Sequence, residues 1–308
     1  MAERIRIGVV GVGKIARDQH LPALAASPDF ELVAAASRNA SVEGLPSYAD
    51  LPAMLDAHPE IEAVSLCTPP VGRHTLAALA LERGKAVMLE KPPGATLSEV
   101  EHMRTLAEQA GRTLFATWHA RYAPCVEPAR AWIAERRITA VRIDWREDVR
   151  HWHPGQAWIW EPGGLGAFDP GINALSIATR ILPPFFLTEG VLRFPENRQA
   201  PVAADLVFQT ADDVRIDVGL DWLQTGPQTW DVRVETDRGV LVLTHGGARM
   251  AVDGAPVAEA PEAEYPRLYE RFARLVRENR SDVDVSPLRH VADAFLSSRR
   301  EIVEPFFD

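Results

Sequence analysis

A lysine follows the short apolar run Ala86-Val87-Met88-Leu89 in Glu90-Lys91-Pro92-Pro93, and lysine is scarce in this chain. Lys14 and Lys85 are the only others, the remaining basic charge being arginine. Arginine stays protonated in proteins, whereas a lysine partly withdrawn from water can exchange a proton. Lys91 is therefore a candidate general base, the plainer alternative being a surface lysine paired with Glu90. The preceding apolar run, 63–67, ends in Cys67-Thr68-Pro69-Pro70 with His74 just beyond. The isomer of the bond before Pro92 is open at this level.

A second group of residues can hold phosphate. The run 5–10 leads directly into Gly11-Val12-Gly13-Lys14-Ile15-Ala16, a dinucleotide fingerprint with alanine in the third small position. The first glycine permits a tight turn, the second lets the backbone approach a pyrophosphate, and the third position keeps helix and strand close. Main-chain N–H groups at Lys14 and Ile15 would then face the phosphates. Such a loop can also be a tight turn with no ligand, but here it follows a strand and opens a helix. At the end of the second run, where an NAD site carries an acidic residue, the chain has Ser37-Arg38. A guanidinium suits a 2′-phosphate, so NADP is expected as the preferred cofactor with NAD also possible. The alternative for Arg38 is a solvated loop charge.

These residues need a scaffold. Five β-rich runs, 5–10, 31–36, 63–67, 86–90 and 113–117, alternate with helical patterns at 14–26, 74–83 and 97–110. That alternation reads as βαβ units on a doubly wound parallel sheet, with Lys91 and Thr68 at its carboxyl edge where ligands bind. After a further helix over 124–136 the texture changes. Residues 141–145 alternate, 151–166 form a loop rich in Trp, Pro and Gly, and 214–222 show the clearest period of two. The runs 231–236 and 239–243, joined at Asp237-Arg238, read with 214–222 as adjacent strands of an antiparallel sheet with one covered face. Helices over 265–279 and 287–301 close the chain. The expected architecture is α/β: a Rossmann domain over 1–120, then an α+β domain over 121–308.

Bulk properties agree. The 308 residues suit two domains, and 46% hydrophobic and 25% charged residues are those of a globular protein. No apolar run approaches the ~20 residues that span a bilayer, and the N-terminus carries no export pattern. With Cys67 and Cys125 as the only cysteines there is no disulfide framework, so the expected compartment is cytoplasmic. A net charge of -10 argues against nucleic acid or an anionic membrane as partner.

Taken together, the glycine loop, Thr68-Pro69-Pro70 with His74, and the run from Gly84 to Pro92 resemble the glucose–fructose oxidoreductase/inositol dehydrogenase family. The similarity runs through Ala16-Arg17-Asp18-Gln19-His20-Leu21-Pro22, Ala116-Thr117-Trp118-His119 and His153-Pro154-Gly155-Gln156. It continues through 158–166 and 168–175. These longer segments are closest to the sugar 1-dehydrogenases of that family. The resemblance implies oxidation of an aldopyranose at C1 to a lactone, the hydride passing to NAD(P)+, with L-arabinose and D-galactose as expected substrates. An inositol dehydrogenase, or a non-catalytic NADP-binding sensor that has lost activity, are the alternatives. It also implies a large open sheet in the second domain and a homodimer. In the wider family an Asp is followed four residues later by His; here Asn173 follows Asp169, and Asn cannot take a proton. The proton role then falls on Lys91.

For a neutral sugar, directional polar groups and flat apolar faces are needed. Asp169 and Asn173 would share a helix face and position the anomeric region, although Asp169 before Pro170 could equally be a helix cap. Glu147 and His153 are expected to hold more distant hydroxyls, with His119 assisting. Trp152, Trp158, Trp160 and Trp230 offer ring faces, whereas Trp132 and Trp145 read as packing. Trp158 is also expected near the cofactor, together with Ser37, Cys67, Thr68, Pro69, His74 and Glu90. His151 and His153 would point the same way on a strand, but without a third ligand at a familiar spacing no metal is expected.

Overall fold

The computed structural model describes residues 3–261 and 263–307. It contains two compact units. The first comprises Met1–His119 and Tyr265–Val285, the second Ala120–Glu264 and Ser286–Asp308.

In the first unit, β1 (Ile5–Val10), β2 (Phe30–Ala36), β3 (Ser47–Tyr48), β4 (Ala63–Leu66), β5 (Ala86–Leu89) and β6 (Leu114–Ala116) form one parallel sheet. Its order is β3-β2-β1-β4-β5-β6. β4, β5 and β6 are buried at every residue. Strands covered on both faces read as unbroken apolar runs, which is why they were legible. Helices α1 (Leu21–Ala26), α2 (Leu51–Ala57), α3 (Arg73–Glu82) and α4 (Leu97–Ala110) connect them. Asp50 caps α2 by accepting from the Ala53 N–H, and Thr96 and Glu99 form a capping box on α4.

In the second unit, β7 (Ile138–Arg146), β8 (Phe185–Pro195), β9 (Ala203–Thr210), β10 (Arg215–Asp221) and β11 (Thr229–Thr236) join β12 (Gly239–Thr244), β13 (Arg249–Val252) and β14 (Ala255–Glu259). With β15 (Arg299–Val303) the order is β14-β13-β12-β11-β7-β10-β9-β8-β15. The sheet is mostly antiparallel; β10 runs parallel to β7 and β15 to β8. Helices α5 (Val126–Ala134), α6 (Val149–Trp152), α7 (Phe168–Ile181) and α9 (Ser286–Ser297) belong here too. α7 approaches β10 so closely that a Cβ at Gly171 would lie 2.5 Å from Leu220 Cδ1.

Three expectations are corrected. β11 and β12 are antiparallel neighbours, but β7 lies between β10 and β11. The closing helix ends at Ser297, and Arg299–Val303 pairs with β8, its β-branched Ile302 and Val303 suiting a strand. The segment Tyr265–Val285, carrying α8 (Glu264–Glu278), clusters with the first unit and not with the rest of 121–308. The reason is packing: Phe272 stacks on Phe30 with ring centroids 5.7 Å apart, Thr113 Oγ1 donates to the Leu275 carbonyl, and Asp282 bridges to Phe115. No helix among the described residues is long and apolar enough to cross a membrane.

Candidate active site

In the first unit β1 delivers the chain to Gly11, whose φ of +90° places it in the left-handed region. A Cβ there would meet the Thr68 main-chain N at 2.9 Å, so the loop after β1 and the loop after β4 lie against each other. Gly13, by contrast, is exposed and a Cβ would meet nothing within 4 Å. The helix begins at Lys14 and passes through a π-helical turn over Ala16–His20 into α1. Thr68 Oγ1 is buried and has no hydrogen-bond partner among the described residues. A buried hydroxyl without a partner beside a bare glycine loop fits a ligand rich in acceptors, as a dinucleotide pyrophosphate is. Around it, Lys14 is ion-paired with Asp18, Ile15 is half-buried and Pro69 is exposed. Ser37 donates its N–H to the Tyr48 carbonyl, and Arg38 is exposed at the end of β2, with no ion pair among the described residues.

The loops after β4 and β5 are tied by a residue that sequence reasoning passed over. Arg73, on the first turn of α3 and 2% exposed, donates to the main-chain carbonyls of Thr68, Glu90 and Pro92. One guanidinium thus fixes both edges between which Lys91 is presented. Lys91 is half-buried, and its bond to Pro92 is cis. His74, next along α3, shares a hydrogen with His102 (2.7 Å) on α4. Cys67 is buried, its thiol 3.6 Å from Ser65 Oγ.

Glu90 was expected at the cofactor and instead turns inward, 3% exposed. Its Oε1 accepts from the Tyr265 hydroxyl (2.7 Å) and faces His20 Nε2 (3.3 Å), and its Oε2 accepts the Lys91 main-chain N–H (2.6 Å). Burial opposes its charge, yet the hydrogen bond and charge of His20, with His119 and Lys91 adding, hold its pKa down at about 2. His119 stacks on Tyr265 at 5.5 Å.

The second unit gathers a polar and aromatic cluster. α7 places Asp169 and Asn173 one turn apart; Asp169 is 2% exposed and Asn173 half-buried. The helix is capped at Ala167 without a side-chain bond, so Asp169 lies inside the first turn and is not its cap. A carboxylate there is favoured by the helix dipole. His153 Nε2 meets Asp169 Oδ2 at 3.3 Å, and its Nδ1 lies 3.4 Å from Gln156 Oε1. His151 and His153 are not alternate residues of a strand: His151 belongs to α6 and His153 ends it.

Glu147, expected to hold sugar hydroxyls, is 4% exposed and accepts from two indoles, Trp222 Nε1 (3.2 Å) and Trp230 Nε1 (2.9 Å). Both partners lie far along the chain, so their convergence left no trace in local spacing. Trp230 stacks on buried Trp145 at 5.8 Å and lies 5.5 Å from Trp152. Trp160 is buried against Trp222 and Phe306, a packing role and not an open face. Half-buried Trp158 donates to Gln156. Glu147→Gln leaves one acceptor oxygen for two indole donors, and an orphaned buried donor costs about 1–3 kcal/mol. A lowered urea midpoint with altered tryptophan fluorescence is expected; unchanged values would show that the indoles are oriented by packing alone.

Arg73, His20, Tyr265, Tyr269 and Trp222 are the residues missed as site components. His20 sat within a segment noted for its resemblance, but nothing in Gly72-Arg73-His74 signals that the arginine is buried.

Comparison with known proteins gives four findings. Residues 5–117 match the family model described as an oxidoreductase family with an NAD-binding Rossmann fold. The chain is 44% identical over 305 residues to a galactose 1-dehydrogenase of Pseudomonas fluorescens, covering 99% of each. It superposes with a TM-score of 0.96 on the crystal structure of a D-galactose-1-dehydrogenase from Rhizobium etli, at 56% identity over 100% of this chain and 99% of that one. The fold alone is shared with a 3-ketoreductase from Actinomadura kijaniata (TM-score 0.85, 19% identity, 98% of this chain and 100% of the other). With the Rossmann strands, the glycine loop and the Glu90-Lys91-Pro92 edge all in place, the chain belongs to the glucose–fructose oxidoreductase/inositol dehydrogenase family of oxidoreductases.

Proposed function

We propose that this protein is an aldose 1-dehydrogenase that oxidises D-galactose and L-arabinose at C1 to the lactone, preferring NADP+ to NAD+. What carries this reading is near end-to-end similarity to two galactose 1-dehydrogenases in a chain that keeps Lys91 at the carboxyl edge of its parallel sheet. The main-chain N–H groups of the Gly11–Gly13 turn, Lys14 and Ile15 would hold the pyrophosphate, with the Thr68 hydroxyl donating to it. Ser37 and Arg38 would take the 2′-phosphate. When bound, the nicotinamide supplies the hydride acceptor.

Lys91 removes the proton of the anomeric hydroxyl. Asp169 and Asn173 hydrogen-bond the anomeric region, Asp169 being oriented by His153, and His119 assists. Trp152 and Trp230 supply ring faces for the pyranose C–H groups, and Glu147 acts by holding Trp230 in place. The partner is thus a small neutral sugar. Assembly as a homodimer in the cytoplasm completes the reading, and sedimentation equilibrium checks the assembly.

The test is initial-rate reduction of NADP+ and NAD+ with D-galactose, L-arabinose, D-glucose and myo-inositol. Turnover of the first two sugars, faster with NADP+, is expected. Activity with myo-inositol alone would overturn the substrate, and cofactor binding without any turnover would favour a sensor. Arg38→Ala should lower kcat/KM for NADP+ about tenfold, the worth of one charge-assisted hydrogen bond, and leave NAD+ within about twofold. Equal losses with both cofactors would remove Arg38 from 2′-phosphate recognition.

A further inference from the structure

We propose that His20, Glu90 and Tyr265 are positioning residues for Lys91: imidazolium and phenol together hold the Glu90 carboxylate where its second oxygen fixes the Lys91 main chain. This rests on Lys91 being the base. The network lies wholly within the first unit and joins segments far apart in sequence: the π-helical turn that carries His20, the end of β5, and α8.

Its hydrogen bonds have a direction. Glu90 Oε1 accepts from Tyr265 and from His20 Nε2, and Oε2 accepts from the Lys91 N–H. On the far side of the imidazole, His20 Nδ1 lies 2.8 Å from the Tyr269 hydroxyl, which donates onward to Ser65 Oγ at 3.3 Å. Glu90 can only accept when ionised, so His20 Nε2 carries the proton between them. With the buried Glu90 carboxylate 3.3 Å from Nε2, the ring is held as the imidazolium, whose Nδ1–H then donates to the Tyr269 hydroxyl.

His20 is fully buried. Burial works against its charge, but Cys67, Tyr269 and Glu90 around it outweigh that cost and raise its pKa well above the usual histidine value. The groups facing the pair are Ser65 and Cys67 from the end of β4, Lys91 beside Glu90, Tyr265 and Tyr269 from α8, and His119 stacked on Tyr265. Tyr269 is itself pushed up by burial, so it stays a neutral phenol when His20 carries its proton.

The Lys91 end is held from two sides. Glu90 takes the Lys91 N–H, while Arg73 takes the carbonyls of Glu90 and Pro92. The arginine cannot titrate in the working range, but the His20–Glu90 pair can. Loss of the His20 proton at alkaline pH would loosen the carboxylate and with it the lysine, so turnover should fall there while cofactor binding persists.

The test uses the full chain. His20→Gln keeps a donor but no charge, and Tyr265→Phe removes one hydroxyl with little change in packing. Each is expected to lower kcat by about 10- to 100-fold with cofactor Kd within twofold, and His20→Gln to displace the alkaline limb of the kcat–pH profile. Folded variants with wild-type kcat and an unmoved profile would overturn the proposal. Nitrogen-15 NMR of the wild-type imidazole at pH 7.5 is independent of Lys91. A doubly protonated His20 ring is expected, and a neutral ring would overturn the proposal even if turnover were impaired. If Lys91→Met proves active, the base assignment itself has failed, and that result is separable from the state of the His20 ring.

Discussion

Lys91→Met is expected to lower kcat with D-galactose by about a thousandfold, within the range that a positioned general base contributes. Methionine nearly matches the length and volume of the lysine stem, so the half-buried position stays filled. The main-chain N–H that Glu90 accepts is untouched by the substitution, as are the carbonyls held by Arg73. The loss should therefore fall on the proton-transfer step, with cofactor Kd, read by fluorescence titration, within about twofold. Lys91→Arg should fare no better, because a guanidinium keeps its proton at any pH the protein survives. If Lys91→Met turned over at a near-normal rate, the base would have to be sought among other groups, and Asn173 could not be one of them.

The asymmetry between what was legible and what was not has a physical origin. β4, β5 and β6 are covered on both faces and appear as apolar runs that end at turn residues, so the carboxyl edge bearing Thr68 and Lys91 could be located from the order of runs and helical patterns. β8 was not found: Thr188, Glu189 and Gly190 interrupt it, and its register shifts between Leu187 and Glu189, which destroys the period of two. α2 is only seven residues long, and β3 only two. Arg299–Val303 lacks a covered face of its own, and it follows a helix with little to mark the change. Edge strands owe their conformation to a neighbour's backbone, which local sequence does not contain.

The site residues divide in the same way. Those that act through the main chain or through one turn of helix, such as Gly11 with Gly13 and Asp169 with Asn173, carry their spacing in the sequence. Those that act through partners elsewhere do not. Glu147 is visible as a carboxylate at the end of β7, yet what it does depends on Trp222 and Trp230, so a hydroxyl-binding role was expected where an indole anchor is found. Glu90 is the same case: a carboxylate beside Lys91 suggested a cofactor contact, and Tyr265 from α8 together with His20 turns it inward. In both, a buried acid is held by donors that arrive from distant elements, and burial is itself the reason the acid needs them.

Arg73→Met is expected to cost the protein about 3 kcal/mol or more, although Arg73 has no part in the proposed chemistry. The guanidinium is 2% exposed and serves three main-chain carbonyls, those of Thr68, Glu90 and Pro92. Removing it takes the donor from three main-chain acceptors, two of them in buried hydrogen bonds, and each stranded buried group costs about 1–3 kcal/mol. Methionine fills the stem's volume, so the loss would report the hydrogen bonds and not a cavity. Arg73→Lys should recover less than half, since a single ammonium cannot reproduce a planar fork that reaches carbonyls on two separate loops. The urea midpoint, followed by far-UV circular dichroism, is the measurement. Because the same carbonyls set the loops that carry Thr68 and Lys91, Arg73→Met should also raise the cofactor Kd and lower kcat together, unlike Lys91→Met, which should spare the cofactor. A wild-type midpoint in Arg73→Met would mean that the loops find other donors and that the guanidinium is not what ties them.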